Sequence, residues 1–203
     1  MEIAGVVLAA GEGRRFGGPK AVAVLDGERL VDRAVRLLRE GGCAPVVVVS
    51  GAAPLDVPSA RVVHNPQWRS GMGSSLRVGL ASVSGADAAV LITVDAPWIG
   101  AEAVRRVAAA HEAGAGVAVA TYGQRRGHPV LLARAHFAEA ARLATGDVGA
   151  RAFLAAYPEL VTAVPCDGTG IPDDVDIPAD LVRGEQRHRG PASPRPDGNG
   201  LET

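Results

Sequence analysis

The sequence predicts an α/β domain with a mostly parallel central sheet. Short apolar runs such as Val6-Val7-Leu8, Pro45–Ser50 and Ala86–Val94 alternate with stretches whose apolar residues recur at helical spacing. The first run opens into a loop carrying Gly11, Gly13, Gly17 and Gly18 together with Arg14, Arg15 and Lys20. The most hydrophobic run delivers Asp95 to its carboxyl end, where open α/β sheets bind their ligands.

Ile3 to Ala10 reads as a buried strand. Glycines in the loop that follows allow a tight bend and a close backbone approach, and turn N–H groups suit anionic oxygens. Its three cations add the charge that a triphosphate needs. Two familiar phosphate motifs fail here. A Walker loop would need lysine where Pro19 stands, and a dinucleotide fingerprint would need a third glycine where Phe16 stands. A Gly-rich surface turn with solvated arginines stays open as the bland alternative.

Ala21 to Asp26 is a short extended piece ending in the turn Asp26-Gly27. Leu30, Val31, Ala34, Val35, Leu37 and Leu38 then define a helix that Gly41-Gly42 ends. Pro45 to Ser50 is the second strand, so strand, helix and strand imply a right-handed parallel crossover. Ala60 to His64 is the third strand and Asn65 to Gly73 a loop. Ser74 or Ser75 is expected to cap a helix through Leu76, Val78, Leu80 and Val83. Ala86 to Val94 is the fourth strand. Asp95 beyond it is placed either to hold a hard cation or to cap the helix Ala101 to Ala113.

Gly116 to Thr121 is the fifth strand and Tyr122 to Gly127 a basic turn containing Arg125 and Arg126. His128, beside Pro129, has no nucleophile near it in sequence. His136 to Ala144 is a short helix, and another runs through Phe153 and Leu154. Between them Asp147 and Arg151 suit either an acceptor or a helix cap. Leu160 to Pro165 is the last strand, and Asp173, Asp174 and Asp176 then form an acidic run. Residues 183–203 are rich in Gly, Pro and charge, and disorder is expected there, leaving a domain over 1–182.

Composition excludes several classes. Hydrophobic residues make up 47% of the 203 and charged ones 21%, which argues against a disordered chain. A formal charge of −1 and few aromatics argue against nucleic-acid binding. No apolar run reaches the ~18 residues of a membrane helix, and the N-terminus has no secretory pattern. Cys43 and Cys166 stand apart without a metal-binding spacing, so a reducing cytoplasmic compartment is expected.

The stretch LAAGEGRRFGGPK closely resembles the signature loop of nucleotidyltransferases, usually written LAAGxSxRMGxxK. The nearest branch is that of the molybdenum-cofactor cytidylyltransferases and their relatives. The resemblance spans about residues 3 to 182 and implies a three-layer Rossmann-like fold. It implies that Leu8, Ala9, Ala10, Gly11, Gly13, Arg15 and Lys20 hold a nucleoside triphosphate, with Ser74 and Ser75 lining the same pocket. Arg15, Lys20 and Asp95 would be catalytic, and Asp95 and Asp176 would ligate Mg2+, with Asp174 next in line. His128, Asp147 and Arg151 would face the acceptor. Gly13 replaces the family's usual serine, and Phe16 its methionine. With Ala10 where the guanylyl branch usually has glycine, the resemblance favours CTP, and molybdopterin as acceptor, delivered in turn to a molybdoenzyme apoprotein. Sugar-phosphate transfer, a non-catalytic maturation factor and an NAD(P)-linked oxidoreductase are the competing readings.

Overall fold

The computed structural model describes residues 1–189 and places a seven-stranded sheet between two helical layers. Strand β1 (Ile3–Leu8) pairs in parallel with β4 (Val46–Ser50) on one side and β6 (Ala88–Thr93) on the other. Beyond β4, β5 (Arg61–His64) completes a parallel half. On the far side of β6 comes β8 (Arg125–Ala133), antiparallel to both β6 and β7 (Val117–Tyr122). The edge strand β9 (Val161–Pro165) runs parallel to β7. A small separate hairpin joins β2 (Val24–Leu25) to β3 (Glu28–Arg29).

Alternation along the strands divides the core. Val7, Val90 and Ile92 face one layer, formed by α1 (Leu30–Glu40) and α3 (Ala101–Glu112). Val6, Ala89 and Leu91 face the other, which contains α2 (Met72–Ser82), α4 (Phe137–Leu143) and α5 (Arg151–Ala156). Leu38, Leu76 and Leu131 are fully buried. Each such side chain contributes about 1.5–3 kcal/mol of transfer free energy.

Two expectations change. The basic turn expected over 122–127 is a tight connection at Gly123-Gln124, and the residues after it form β8 in the sheet interior. A proline argues against an inner strand because it cannot donate to the ladder. Pro129 is accommodated where the ladders break: β8 pairs with β7 at Val130 and again at Arg126, across a register shift, and its pairing with β6 stops at Val130. The second change concerns the expected tail. Helix α6 (Pro178–Arg189) continues through residues 183–189, where disorder was expected. Local capping and packing hold it. The Asp180 carboxylate accepts the N–H groups of Asp176 and Ile177, Arg183 pairs with Asp180, and Gly184 lies flat against Trp98. Residues 190–203 of that expected tail lie outside the described residues.

Among the described residues no helix is long and apolar enough to cross a membrane. Cys43 and Cys166 are both free and buried.

Candidate active site

The glycine loop after β1 is wound around one acceptor. The amides of Phe16, Gly17 and Gly18 all donate to the Gly13 carbonyl, at 2.9, 2.9 and 3.2 Å. Gly13 itself has φ +63°, and a Cβ there would lie 2.0 Å from the Gly18 carbonyl oxygen, so no other residue fits this turn. The early part of the loop, Gly11 to Arg14, walls a cleft of about 430 Å³ together with Leu8, Ala10 and Lys20.

At the floor of that cleft, β6 ends and the chain turns at Asp95. Lys20 Nζ lies 3.2 Å from Asp95 Oδ2 and 3.4 Å from Asp176 Oδ1, and Arg15 reaches Asp176 at 3.0 Å. Residues from three distant stretches therefore meet around one ammonium group. Backbone bonds enforce the meeting: the Val175 N–H donates to the Asp95 carbonyl at 2.7 Å, and Ile171 N–H to the Trp98 carbonyl at 3.1 Å.

The opposite wall comes from the segment before α2. Asn65, 1% exposed, donates through Nδ2 to Ser74 Oγ at 2.8 Å and Ser75 Oγ at 3.0 Å, and accepts the Gln67 N–H at 2.9 Å. Ser74 in turn donates to the Gly71 and Gln67 carbonyls. This buried knot fixes the loop that presents Trp68, Arg69 and Met72 to the cleft. Arg69 stacks over the Trp68 ring at 4.3 Å.

A second cavity of about 410 Å³ opens on the other side of Asp95. The two share Leu8, Met72, Thr93 and Asp95. The second has an apolar floor of Leu76, Leu91, Val130 and Leu154, with Arg125, Arg126, His128, Arg151 and Asp174 around it. His128 reaches the wall because the β8 ladder is broken there; its Nδ1 lies 3.4 Å from the Leu91 carbonyl. Burial lowers its pKa, only partly opposed by Asp95 and Asp174. Burial first, then the charges of Asp95 and Asp176, push the Asp174 carboxyl above its ordinary value, against the pull of His128 and Lys20.

The structure thus gathers Leu8, Ala10, Gly11, Gly13, Lys20, Ser75 and Asp95 at the first cleft, and His128 and Arg151 at the second. Four others are placed differently. The Ala9 side chain is 3% exposed and points into the core, which leaves only its backbone to face a ligand. Ser74 is neither cap nor pocket wall: Gly71 is the N-cap of α2 and Ser74 is consumed by the buried knot. Arg15 is exposed and pairs with Asp176 at the rim of the site, while Arg14, in contact with Glu12, and Arg69 line the cleft. Asp147 lines the first cleft and not the second, and its carboxylate accepts the Met72 N–H at 3.3 Å. Asn65 and Trp68 belong, with Ser75, to the stretch NPQWRSGMGSSL that resembles the family's nucleotide-pocket segment N-P-x-W-x-x-G-M-x-x-S-L; Arg69 stands at one of its variable positions and gave no signal.

A family model for the MobA-like NTP transferase domain matches residues 5–162. The chain is 35% identical over 195 residues to the nicotine blue oxidoreductase of Paenarthrobacter nicotinovorans, covering 89% of this chain and 95% of that protein. It is 32% identical to the molybdenum cofactor guanylyltransferase of Rhodobacter capsulatus, covering 93% and 98%. Among solved structures, Rv0371c from Mycobacterium tuberculosis superposes with a TM-score of 0.76 at 29% identity, covering 90% of this chain and 96% of that one. A manganese complex of Rv0371c gives 0.71 at 29% identity, covering 90% and 97%. With this match over most of its length, a Rossmann-like sheet and a glycine loop leading to Asp95, the chain carries a nucleotidyltransferase domain and belongs to the MobA-like NTP transferase family.

Proposed function

We propose that the protein transfers a nucleoside monophosphate from CTP to a small phosphate-bearing acceptor of the molybdopterin type, with release of pyrophosphate. The observation that carries this reading is Asp95 standing between two cavities, one walled by a cationic glycine loop and the other by arginines over an apolar floor. That is the arrangement a two-substrate transfer needs: each reactant has its own pocket, and the reacting atoms meet at the shared wall.

In the transfer, an acceptor phosphate oxygen forms a bond to the α-phosphorus. The bond from that phosphorus to the bridging oxygen breaks, and its electron pair leaves with pyrophosphate. Lys20 and Arg14 are placed to neutralise the triphosphate, with Arg15 at the outer edge. An anionic acceptor needs no general base, so His128 on the wall of the second cavity would orient the acceptor rather than take a proton from it.

Mg2+ fits the donor set. Among the described residues no three His, Cys, Asp or Glu side chains form a complete cage. Asp95 and Asp176 nevertheless share one cation already, the Lys20 ammonium. Magnesium uses one or two carboxylates and completes its shell with water and substrate phosphates. When bound, it would supply charge neutralisation and polarisation of the α-phosphate. The manganese complex of Rv0371c supports a divalent ion at this fold.

Ala10 supports the choice of CTP. In the family that the loop resembles, the guanylyl branch usually has glycine at this position, although the Rhodobacter relative is named a guanylyltransferase. Two free cysteines are consistent with a cytoplasmic setting.

One observation favours a second reading, NAD(P)H-linked reduction: the similarity to nicotine blue oxidoreductase over nearly the whole chain. Against it stand the cationic loop, Phe16 in place of the third glycine, and Ser50 where a ribose-binding acid would end the second strand.

The deciding experiment measures pyrophosphate release from CTP, GTP, ATP and UTP with Mg2+, with and without molybdopterin, beside NAD(P)H oxidation with nicotine blue. CTP-dependent release only with molybdopterin is expected. GTP-dependent release would replace the base assignment, and NAD(P)H oxidation without any release would replace the reading.

A further inference from the structure

Behind the Asp95 turn, and sharing Thr93 with both larger cavities, lies a smaller cavity of about 160 Å³ between α1 and residues 92–101. Arg33 of α1 lines it, with its side chain 18% exposed. Its Nε donates to the Pro97 carbonyl at 2.8 Å, two residues beyond Asp95. Arg33 is itself held. Glu28 lies 3.7 Å from its guanidinium, and Arg36 binds the same carboxylate through two hydrogen bonds of 2.9 Å each. Arg36 also reaches Glu40. Hydrogen bonding to Arg36, helped by the charges of Arg36 and Arg33, keeps the Glu28 carboxyl below its ordinary value and ionised.

A chain of alternating charge thus runs along the exposed side of α1 and ends on a backbone carbonyl of the turn. On the other side of the turn, the Val175 N–H holds the Asp95 carbonyl. The turn is clamped from behind by a side chain and from the front by the acidic segment.

We infer that Arg33 is a positioning residue for Asp95. By fixing Pro97 it keeps the turn from relaxing into the space behind, and so keeps the Asp95 carboxylate where Lys20, Asp176 and both cavities converge. Reacting groups must be held to within about 0.5 Å, and a misplacement of about 1 Å costs on the order of a hundredfold in rate. The inference rests on the proposed role of Asp95 in holding the metal and the reacting phosphate.

The test compares Arg33→Met, Arg33→Lys, Glu28→Gln and Asp95→Asn in the full chain. Turnover is read by pyrophosphate release, nucleotide affinity by calorimetry without metal, and Mn2+ affinity of the nucleotide complex by electron paramagnetic resonance. Arg33→Met is expected to lower kcat about tenfold and weaken Mn2+ several-fold, while metal-free nucleotide affinity stays within about twofold. Arg33→Lys, which still donates to the carbonyl, should recover most of both. Should Arg33→Met fold poorly, Glu28→Gln should show the same split at smaller amplitude. Wild-type kcat and Mn2+ affinity in a folded Arg33→Met, with Asp95→Asn inactive, overturns the inference alone. So does a loss that Lys does not restore and that nucleotide affinity shares. Wild-type behaviour of Asp95→Asn overturns the reading of the site, and the inference with it.

Discussion

The two cavities that meet at Asp95 are of similar size but are built by different means. The first is backbone architecture. A loop wound on the Gly13 carbonyl, a strand end and a helix start at Gly71 shape it, all within the parallel half of the sheet and its connections. The second is side-chain architecture, with arginines and a histidine from β8 and α5 set over apolar residues of β6, α2 and α5. A backbone site suits a constant ligand such as a triphosphate, because amides and turns vary little. A side-chain site can be retuned one residue at a time.

The contrast is broken most severely at the shared wall. Asp95→Ala should lower turnover by about a thousandfold with the fold intact by circular dichroism, because both halves lose their common point. Near-normal turnover at saturating magnesium would remove Asp95 from the site. Next comes Gly13→Ala, which touches the backbone-built cavity alone. A strained positive φ costs about 1–3 kcal/mol, so nucleotide affinity should fall a few tens of fold while acceptor binding holds. Calorimetry with each ligand separates the two.

Arg151→Ala probes the other side. Losing one charged hydrogen bond, about 1.5–3 kcal/mol, should raise the acceptor KM at least tenfold and leave the nucleotide KM unmoved. If the nucleotide KM moves instead, the division of labour is wrong. The smallest effect concerns His128. Its folded pKa lies below the unfolded value of about 6.5, so the unfolded chain binds more protons in that range. Its contribution to stability is complete above about pH 6.5 and is lost as pH falls through the lowered folded value. Urea midpoints of wild type and His128→Gln should converge as pH drops from 7.5 to about 5; a constant gap would mean the ring does not titrate on unfolding.

The same contrast explains what could be read before the structure. The first cleft was legible because its chemistry is local: glycines and cations crowd into Gly11–Lys20, and Asp95 ends an unmistakable apolar run. The second was legible only through the family resemblance, which singled out His128 and Arg151. β8 contains Gly127 and Pro129 and lacks an alternating pattern, and only its register break explains how it lies inside a sheet. Propensity misled at Ser74, a good capping type that the fold uses as a buried donor while Gly71 starts the helix. Adjacency misled at Asp147, which precedes Arg151 by a single turn of chain yet serves the other cavity. Arg33 gave no signal at all, since its partner is a main-chain oxygen far along the chain.

The bond from Val175 to Asp95 also bears on how the protein is made. The glycine loop, Lys20 and Asp95 are all synthesised long before Asp176, which reaches the site beside that bond. A nascent chain that has finished β9 can already have its parallel half and its triphosphate cradle. It still lacks the second carboxylate and the clasp that holds the first. If Asp95 and Asp176 hold the metal as proposed, such a chain would bind nucleotide without turning it over, and its chemistry would wait for the segment around Val175 to dock.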